Sequence, residues 1–416
     1  MIQKETLPNG VRIITEEMPQ VRSVSIGLWV RVGSRFEEES LAGVSHFIEH
    51  MMFKGTKNRT ARQIAEALDS VGGQINAFTA KEYTCYYARV LDNHLDVAVD
   101  VLSDMFFNSL FQPTEIEKEK NVILEEIKMY EDTPDDLVHD VFIAGLWPGH
   151  PLGRPIIGHR ETVASLRPEK LVEFYRRHYT PDSLVVAVAG NIDHRRVVER
   201  LTPVFGSFDG RSAPVSFTRP QPAHTTVSRY KDTEQVHVVL GTEALPMNHP
   251  DIYALSIINT VLGGGVSSRL FQRVRENLGL VYSIYSYLSS YIDSGIFSLY
   301  AGLSPANLDR LLGILAEELE RLYRQGLSEE ELHRGREQLK GNLFLGLEGP
   351  GSRMTRIGKA EVCLGQVMTM EEIAAAIDAV TMDDIRRLCR QFFAPDHFTL
   401  AWIGPVKKEI KWEDYC

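Results

Sequence analysis

The chain is poor in cysteine. Only Cys85, Cys363, Cys389 and Cys416 occur among 416 residues, with no C-x-x-C pair and no regular spacing. That argues against a disulfide scaffold and against a cysteine-built structural metal site, and it leaves reduced thiols in a cytosolic compartment as the default. No apolar run is long enough to span a bilayer, so no transmembrane helix is expected. Positive charge is in deficit: 45 Lys and Arg face 56 Asp and Glu, for a formal net charge of −11. A nucleic-acid binder would carry a basic face, so that class is set aside. The stretch Met1 to Gly10 has neither an apolar core nor an Arg- and Ser-rich amphipathic pattern, so neither a secretory signal nor an organelle presequence is expected there.

What is present is ordinary globular material, 44% hydrophobic and 24% charged. At roughly 150 residues per domain, two or three domains are expected. Val24, Ile26, Leu28, Val30 and Val32 fall on every second position, the period of a half-buried strand. Helical patterns cover about 41–53, 60–71, 94–107 and 168–178, and Leu184–Ala189 reads as a buried strand. Gly72-Gly73 opens a hairpin, with strands at 74–80 and 83–90.

The plan is then written a second time. Thr180-Pro-Asp182 returns as Ala394-Pro-Asp396, Gly190 as Gly404, and the capping-box pattern Thr114-Glu-Ile-Glu117 as Ser328-Glu-Glu-Glu331, each displaced by 214 residues (395 minus 181, 404 minus 190, 328 minus 114). The fold class implied is α+β, in two homologous halves, each a largely antiparallel sheet packed with helices. The halves are placed at 1–206 and 225–416. The segment 207–224, with Gly210, Pro214, Pro220 and Pro222 and few aliphatics, reads as a linker.

Chemistry concentrates at His46-Phe-Ile-Glu49-His50. Residues four apart on a helix share one face, so His46 and His50 can aim ring nitrogens at one ion, with Glu49 near the same face. This is the H-x-x-E-H order, the inverted zincin pattern. The plain alternative is a solvated polar face. The flanking Val44, Phe47, Ile48, Met51, Met52 and Phe53 argue instead for a packed helix, in which such polar groups need partners. A catalytic zinc takes three protein ligands and keeps one position open. The acidic stretch 115–132 could supply the third, and Glu119 and Glu126 share a helical face, although acidic helices are usually just solvated exteriors. Spacing alone leaves Glu125 and Glu126 equal. The glycine-rich Leu262–Ser268 lacks the G-K-[ST] of a phosphate loop and reads as a tight connection.

Across nearly its whole length the sequence resembles the pitrilysin family of inverted zinc peptidases, with a particular likeness to the β subunit of mitochondrial processing peptidase and its bacterial relatives. The family places its glutamate ligand 76 positions after the second histidine; here 126 minus 50 is 76, so the resemblance implies Glu126. It implies a supporting catalytic role for Glu119, seven residues earlier. It also implies Zn²⁺ as cofactor, Glu49 as general base, and substrate contacts at Asn76, Ala77 and Phe78 on an edge strand and at Arg275 and Tyr282 in the second half. Without the resemblance, Asn76–Phe78 is a plain hairpin strand, and Arg275 and Tyr282 carry no signal of their own.

The repeat offers a check. Displacements of 211 to 214 set Ile257 against His46, Thr260 against Glu49, Val261 against His50 and Lys340 against Glu126, so the second half retains no ligand. The expected function is a zinc-dependent endopeptidase cleaving peptides or unstructured precursor segments held extended in a two-half chamber. The resemblance and the acidity suggest that the substrates are basic. A cytoplasmic bacterial homodimer is expected. Two other readings stand beside it: a noncatalytic structural or assembly subunit of the same family, and a metal-dependent hydrolase of non-peptide bonds. Zinc content and peptide cleavage, both abolished in His50→Ala, would separate the first.

Overall fold

The computed structural model describes residues 1–212 and 215–416; Ala213 and Pro214, inside the expected linker, lie outside the described residues. Two compact units form. One gathers residues 1–127, 155–217 and 345–369; the other gathers 128–154, 218–344 and 370–416. These units are a different partition of the chain from the two sequence halves, because each half lends the other unit a helix.

In the first unit, strands β1 (Ile2–Thr6), β2 (Arg12–Glu17), β3 (Ser23–Val30), β4 (Gln74–Thr79), β5 (Thr84–Leu91) and β6 (Leu184–Gly190) build one sheet in the order β1-β2-β6-β3-β5-β4. Only β2 and β6 run parallel. The 74–79 hairpin strand is therefore a sheet edge, paired with β5 alone. One face packs on helices α1 (Val44–Met51), α2 (Ala61–Asp69), α3 (Leu95–Asn108) and α4 (Pro113–Glu131) through a core that includes Val24, Ile26, Leu28, Val30, Phe47, Ile48, Leu102 and Ile123.

The alternation in β3 leads one to expect a half-buried strand, yet its residues from Val24 to Val30 are all buried. The helix Pro350–Leu364, borrowed from the second half, covers the other face. Gly27 on that face admits it, since a Cβ there would lie 2.6 Å from the Met354 sulfur. Met354 accepts a hydrogen bond from the Trp29 indole at 3.3 Å. Glu361, itself buried, pairs with Lys4 at 2.8 Å and Arg12 at 3.1 Å, and Arg353 and Arg356 pair with the buried Glu16.

The second unit repeats the scheme. Strands β7 (Thr226–Tyr230), β8 (Val236–Ala244), β9 (Val281–Ser290), β10 (Gly295–Leu303) and β11 (Thr399–Gly404) lie in the order β7-β11-β8-β10-β9, with only β7 and β11 parallel. Helix α5 (Pro134–Leu146), lent by the first half, covers one face through Val138, Phe142 and Leu146. The two lent helices begin 216 residues apart (350 minus 134), close to the repeat distance, so the exchange is reciprocal.

The capping box at Ser328 forms, with Ser328 N–H on Glu331 and Glu331 N–H on the Ser328 hydroxyl. Its first-half counterpart does not begin the helix. Helix α4 starts at Pro113, where a missing N–H costs nothing, and Gln112 accepts the Glu115 and Ile116 amides. Among the described residues no helix is long and apolar enough to cross a membrane.

Candidate metal centre and active site

Helix α1 carries His46, Glu49 and His50. Its buried side, Val44, Phe47, Ile48 and Met51, locks it into the core and leaves the polar three on the open side. Its start is fixed by Gly43, whose φ of 97° suits glycine; a Cβ there would also lie 2.8 Å from the Ile157 carbonyl oxygen. The buried Glu37 carboxylate accepts the Gly43 and Ser45 amides at 2.8 Å each, satisfying donors that open a helix.

Helix α4 runs past this face. Its buried stripe is Ile116, Glu119, Ile123 and Ile127, a carboxylate set among isoleucines. Glu119 meets the need for partners on both oxygens: Oε1 with His50 Nδ1 at 2.8 Å, Oε2 with Lys54 Nζ at 2.7 Å. Two turns on, Glu126 Oε2 stands 3.7 Å from His50 Nε2 and 3.9 Å from His46 Nε2, while the two Nε2 atoms are 3.2 Å apart. Glu125 is exposed, on a different side of the helix.

His46, His50 and Glu126 are the set of metal-capable groups whose ligand atoms converge among the described residues. They fit zinc by an observation independent of the motif. Glu126 Oε2 is buried and has no hydrogen-bond partner. A point equidistant from the three atoms lies about 2.1 Å from each, the usual Zn–N and Zn–O length. His46 Nδ1 likewise has no partner.

Burial, with the neighbouring His50, depresses the His46 pKa to about 3, so this ring is neutral and ready to donate a lone pair. Burial opposes charge on His50 as well, but the Glu119 hydrogen bond and the nearby carboxylates outweigh it and raise that pKa. The Glu119 carboxyl shows the converse. Burial would raise it, and the bonds from His50 and Lys54 bring it below its ordinary value. Burial raises the Glu49 pKa, against the lowering effect of a 2.5 Å hydrogen bond from Thr79.

The structure thus brings His46, Glu49, His50, Glu119 and Glu126 together. Asn76, Ala77 and Phe78 lie on edge strand β4, which packs against α1. Arg275 and Tyr282 belong to the second unit. Arg275 sits in the π-helical turn Phe271–Asn277 with its guanidinium 4.7 Å from the Phe271 ring centre, and Tyr282 is exposed. The positions that overlay the ligands serve packing instead: Ile257 and Val261 are core residues, and Lys340 pairs with Asp378 at 2.8 Å. The sequence reading missed Thr79, Lys54 and Glu37 as neighbours of the site. Lys54 had left a signal, four residues after His50.

An inverted H-x-x-E-H helix beside the edge of a mostly antiparallel sheet, with the same sheet scheme repeated without ligands, defines a class of metallopeptidase. Residues 12–160 match "Insulinase (Peptidase family M16)", and residues 165–339 match "Peptidase M16 inactive domain". The chain belongs to peptidase family M16, whose metal is zinc. It is 48% identical to the uncharacterized zinc protease YmxG of Bacillus subtilis over 97% of this chain and 98% of that one. It is 44% identical to an uncharacterized zinc protease of Streptomyces coelicolor, over 98% and 90%. Among solved structures, a Helicobacter pylori protease shares the fold with a TM-score of 0.91 at 21% identity, over 97% of this chain and 99% of that one.

Proposed function

We propose that the chain is a zinc-dependent endopeptidase in which His46, His50 and Glu126 hold the metal and Glu49 is the general base. The carrying observation is the convergence of three ligand atoms around a buried carboxylate oxygen with no other partner, beside a second carboxylate that is not among them. Bound zinc supplies Lewis-acid activation of a water molecule and of a peptide carbonyl. Glu49, its proton affinity raised by burial, takes the proton from the attacking water and passes it to the leaving amine. Thr79 holds the Glu49 carboxylate in one orientation.

Edge strand β4 supports an extended peptide as substrate. The Ala80 amide bonds the Tyr83 carbonyl, so by antiparallel alternation the backbone groups of Ile75, Ala77 and Thr79 face away from β5. A peptide can pair there as one more strand, with Asn76, Ala77 and Phe78 as its contacts. Asn76 Oδ1 accepts the Ala77 amide at 2.8 Å and would turn aside as the peptide pairs. Arg275 and Tyr282 are proposed as further substrate contacts, and Glu119 as the support of His50. The net charge of −11 favours basic peptides.

Glu49→Gln tests this reading. It should retain zinc and lose at least about a hundredfold in turnover of unstructured peptides, read by mass spectrometry of the products. Turnover at the wild-type rate, with contaminating proteases excluded, would refute it. We further propose a cytoplasmic homodimer, tested by light scattering; a stable, fully active monomer would defeat that part.

A further inference from the structure

We infer that Lys54 is a positioning residue for the metal centre, acting on His50 through Glu119; this rests on the proposed zinc site. The chain His50 Nδ1–Glu119 Oε1 (2.8 Å) and Glu119 Oε2–Lys54 Nζ (2.7 Å) uses one oxygen of the carboxylate for each neighbour. Glu119 is 4% exposed and lies on the isoleucine stripe of α4, so an oxygen left without a partner there is costly. A carboxylate bonded only to His50 would be free to turn about its end. With Lys54 in place it presents one oxygen to Nδ1, which fixes the imidazole as an Nδ1–H donor and leaves Nε2 as the lone pair facing His46 and Glu126.

Lys54 is well placed for this task. It follows His50 by four residues, in the turn that ends α1, with its amide on the Met51 carbonyl at 3.0 Å. Lys54 also lines a cavity of about 450 Å³ together with Lys57, Arg59, Arg62 and Glu115. Of the carboxylates near it, Glu115 pairs with Lys118 at 2.7 Å, and Lys54 pairs with Glu119 at 2.7 Å. The two histidine ligands are therefore supported unequally: His46 Nδ1 has no partner among the described residues, so the orientation of the pair depends on the His50 arm.

The test is a double-mutant cycle read by zinc affinity. Zinc dissociation constants are measured by competition with a fluorescent chelator for wild type, Lys54→Met, Lys54→Arg, Glu119→Gln and the Lys54→Met/Glu119→Gln pair. Lys54→Met should weaken zinc about tenfold, Lys54→Arg should restore most of the loss, and the double variant should bind no worse than Glu119→Gln alone. Lys54→Met should also lower the unfolding midpoint of the metal-free protein, because one oxygen of the buried Glu119 loses its partner, and Lys54→Arg should recover midpoint and zinc affinity together; Lys54→Gln serves if the Met variant does not fold. Zinc affinity of Lys54→Met within twofold of wild type, or losses that add in the double variant, would overturn the proposal while leaving the zinc site standing. Full zinc retention in His50→Ala would instead remove the site on which the proposal rests.

Discussion

Thr79 Oγ1 donates a 2.5 Å hydrogen bond to Glu49 Oε2, joining the sheet's edge strand to the helix that bears the paired histidines. The strand proposed to receive substrate thus also orients the proposed base. Thr79→Val keeps the shape and removes the donor. It should lower kcat about tenfold with KM and zinc content near wild type, and Thr79→Ser should recover most of the rate. Steady-state kinetics on one peptide decide the matter; a kcat within twofold of wild type for Thr79→Val would show that the bond does not orient Glu49.

Neighbouring residues on a helix point about 100° apart, so only one of Glu125 and Glu126 can face the histidines. Glu126→Gln should lose at least about tenfold in zinc affinity, and Glu125→Gln should keep its zinc. Metal content after gel filtration, measured by inductively coupled plasma mass spectrometry, distinguishes them. Equal loss in both variants would mean that the helix shifts and that the site is not built as described.

That choice shows where sequence reading stops. Helix α1, the 74–90 hairpin and the helix Pro168–His178 were legible because each rests on a local period or turn signal. Spacing alone could not choose Glu126, because the facing side of α4 is set by where Ile116, Ile123 and Ile127 pack. Thr79 was illegible for a related reason: its role depends on how close the hairpin lies to α1, a distance no local pattern carries. The lent helices were hidden more deeply. Nothing within Pro350–Leu364 states which sheet it will cover, and the buried second face of β3 read as an ordinary alternation.

Gly358 brings that helix close against the sheet. A Cβ at this position would lie 2.2 Å from Trp29 Nε1 and 2.4 Å from Cε2, and the Trp29 ring is fully buried and cannot step aside. Gly358→Ala should therefore destabilise the chain by about 1 to 3 kcal/mol and lower its first thermal transition by several degrees. Gly341→Ala is the control: it lies inside a helix with nothing within 4 Å of the added atom, and it should be neutral or slightly stabilising. Calorimetry of the two variants should separate them. If Gly358→Ala melted with the wild type, the close approach of helix and indole would be wrong.

His178 supplies a prediction for acid stability away from the metal. Its ring is buried against Phe174 and Phe36, with centroids 4.4 Å and 5.9 Å away. Burial, with the adjacent Arg177 charge adding to it, depresses the pKa to about 4. The unfolded ring titrates near about 6.5. Between these values the unfolded chain binds a proton that the folded chain refuses. The neutral ring's contribution is therefore fully present above about pH 6.5 and is lost as pH falls towards about 4. Replacing the ring with a non-titrating one of similar shape should flatten that part of the profile. In urea unfolding at pH 7.5, 5.5 and 4.5, His178→Phe should lose less of its midpoint on acidification than wild type. The Ser183 hydroxyl bond to the residue 178 carbonyl is untouched by the exchange, so the local turn should survive. Parallel losses in the two proteins would mean that the ring is protonated in the folded state, and that its surroundings are wetter than the structure makes them.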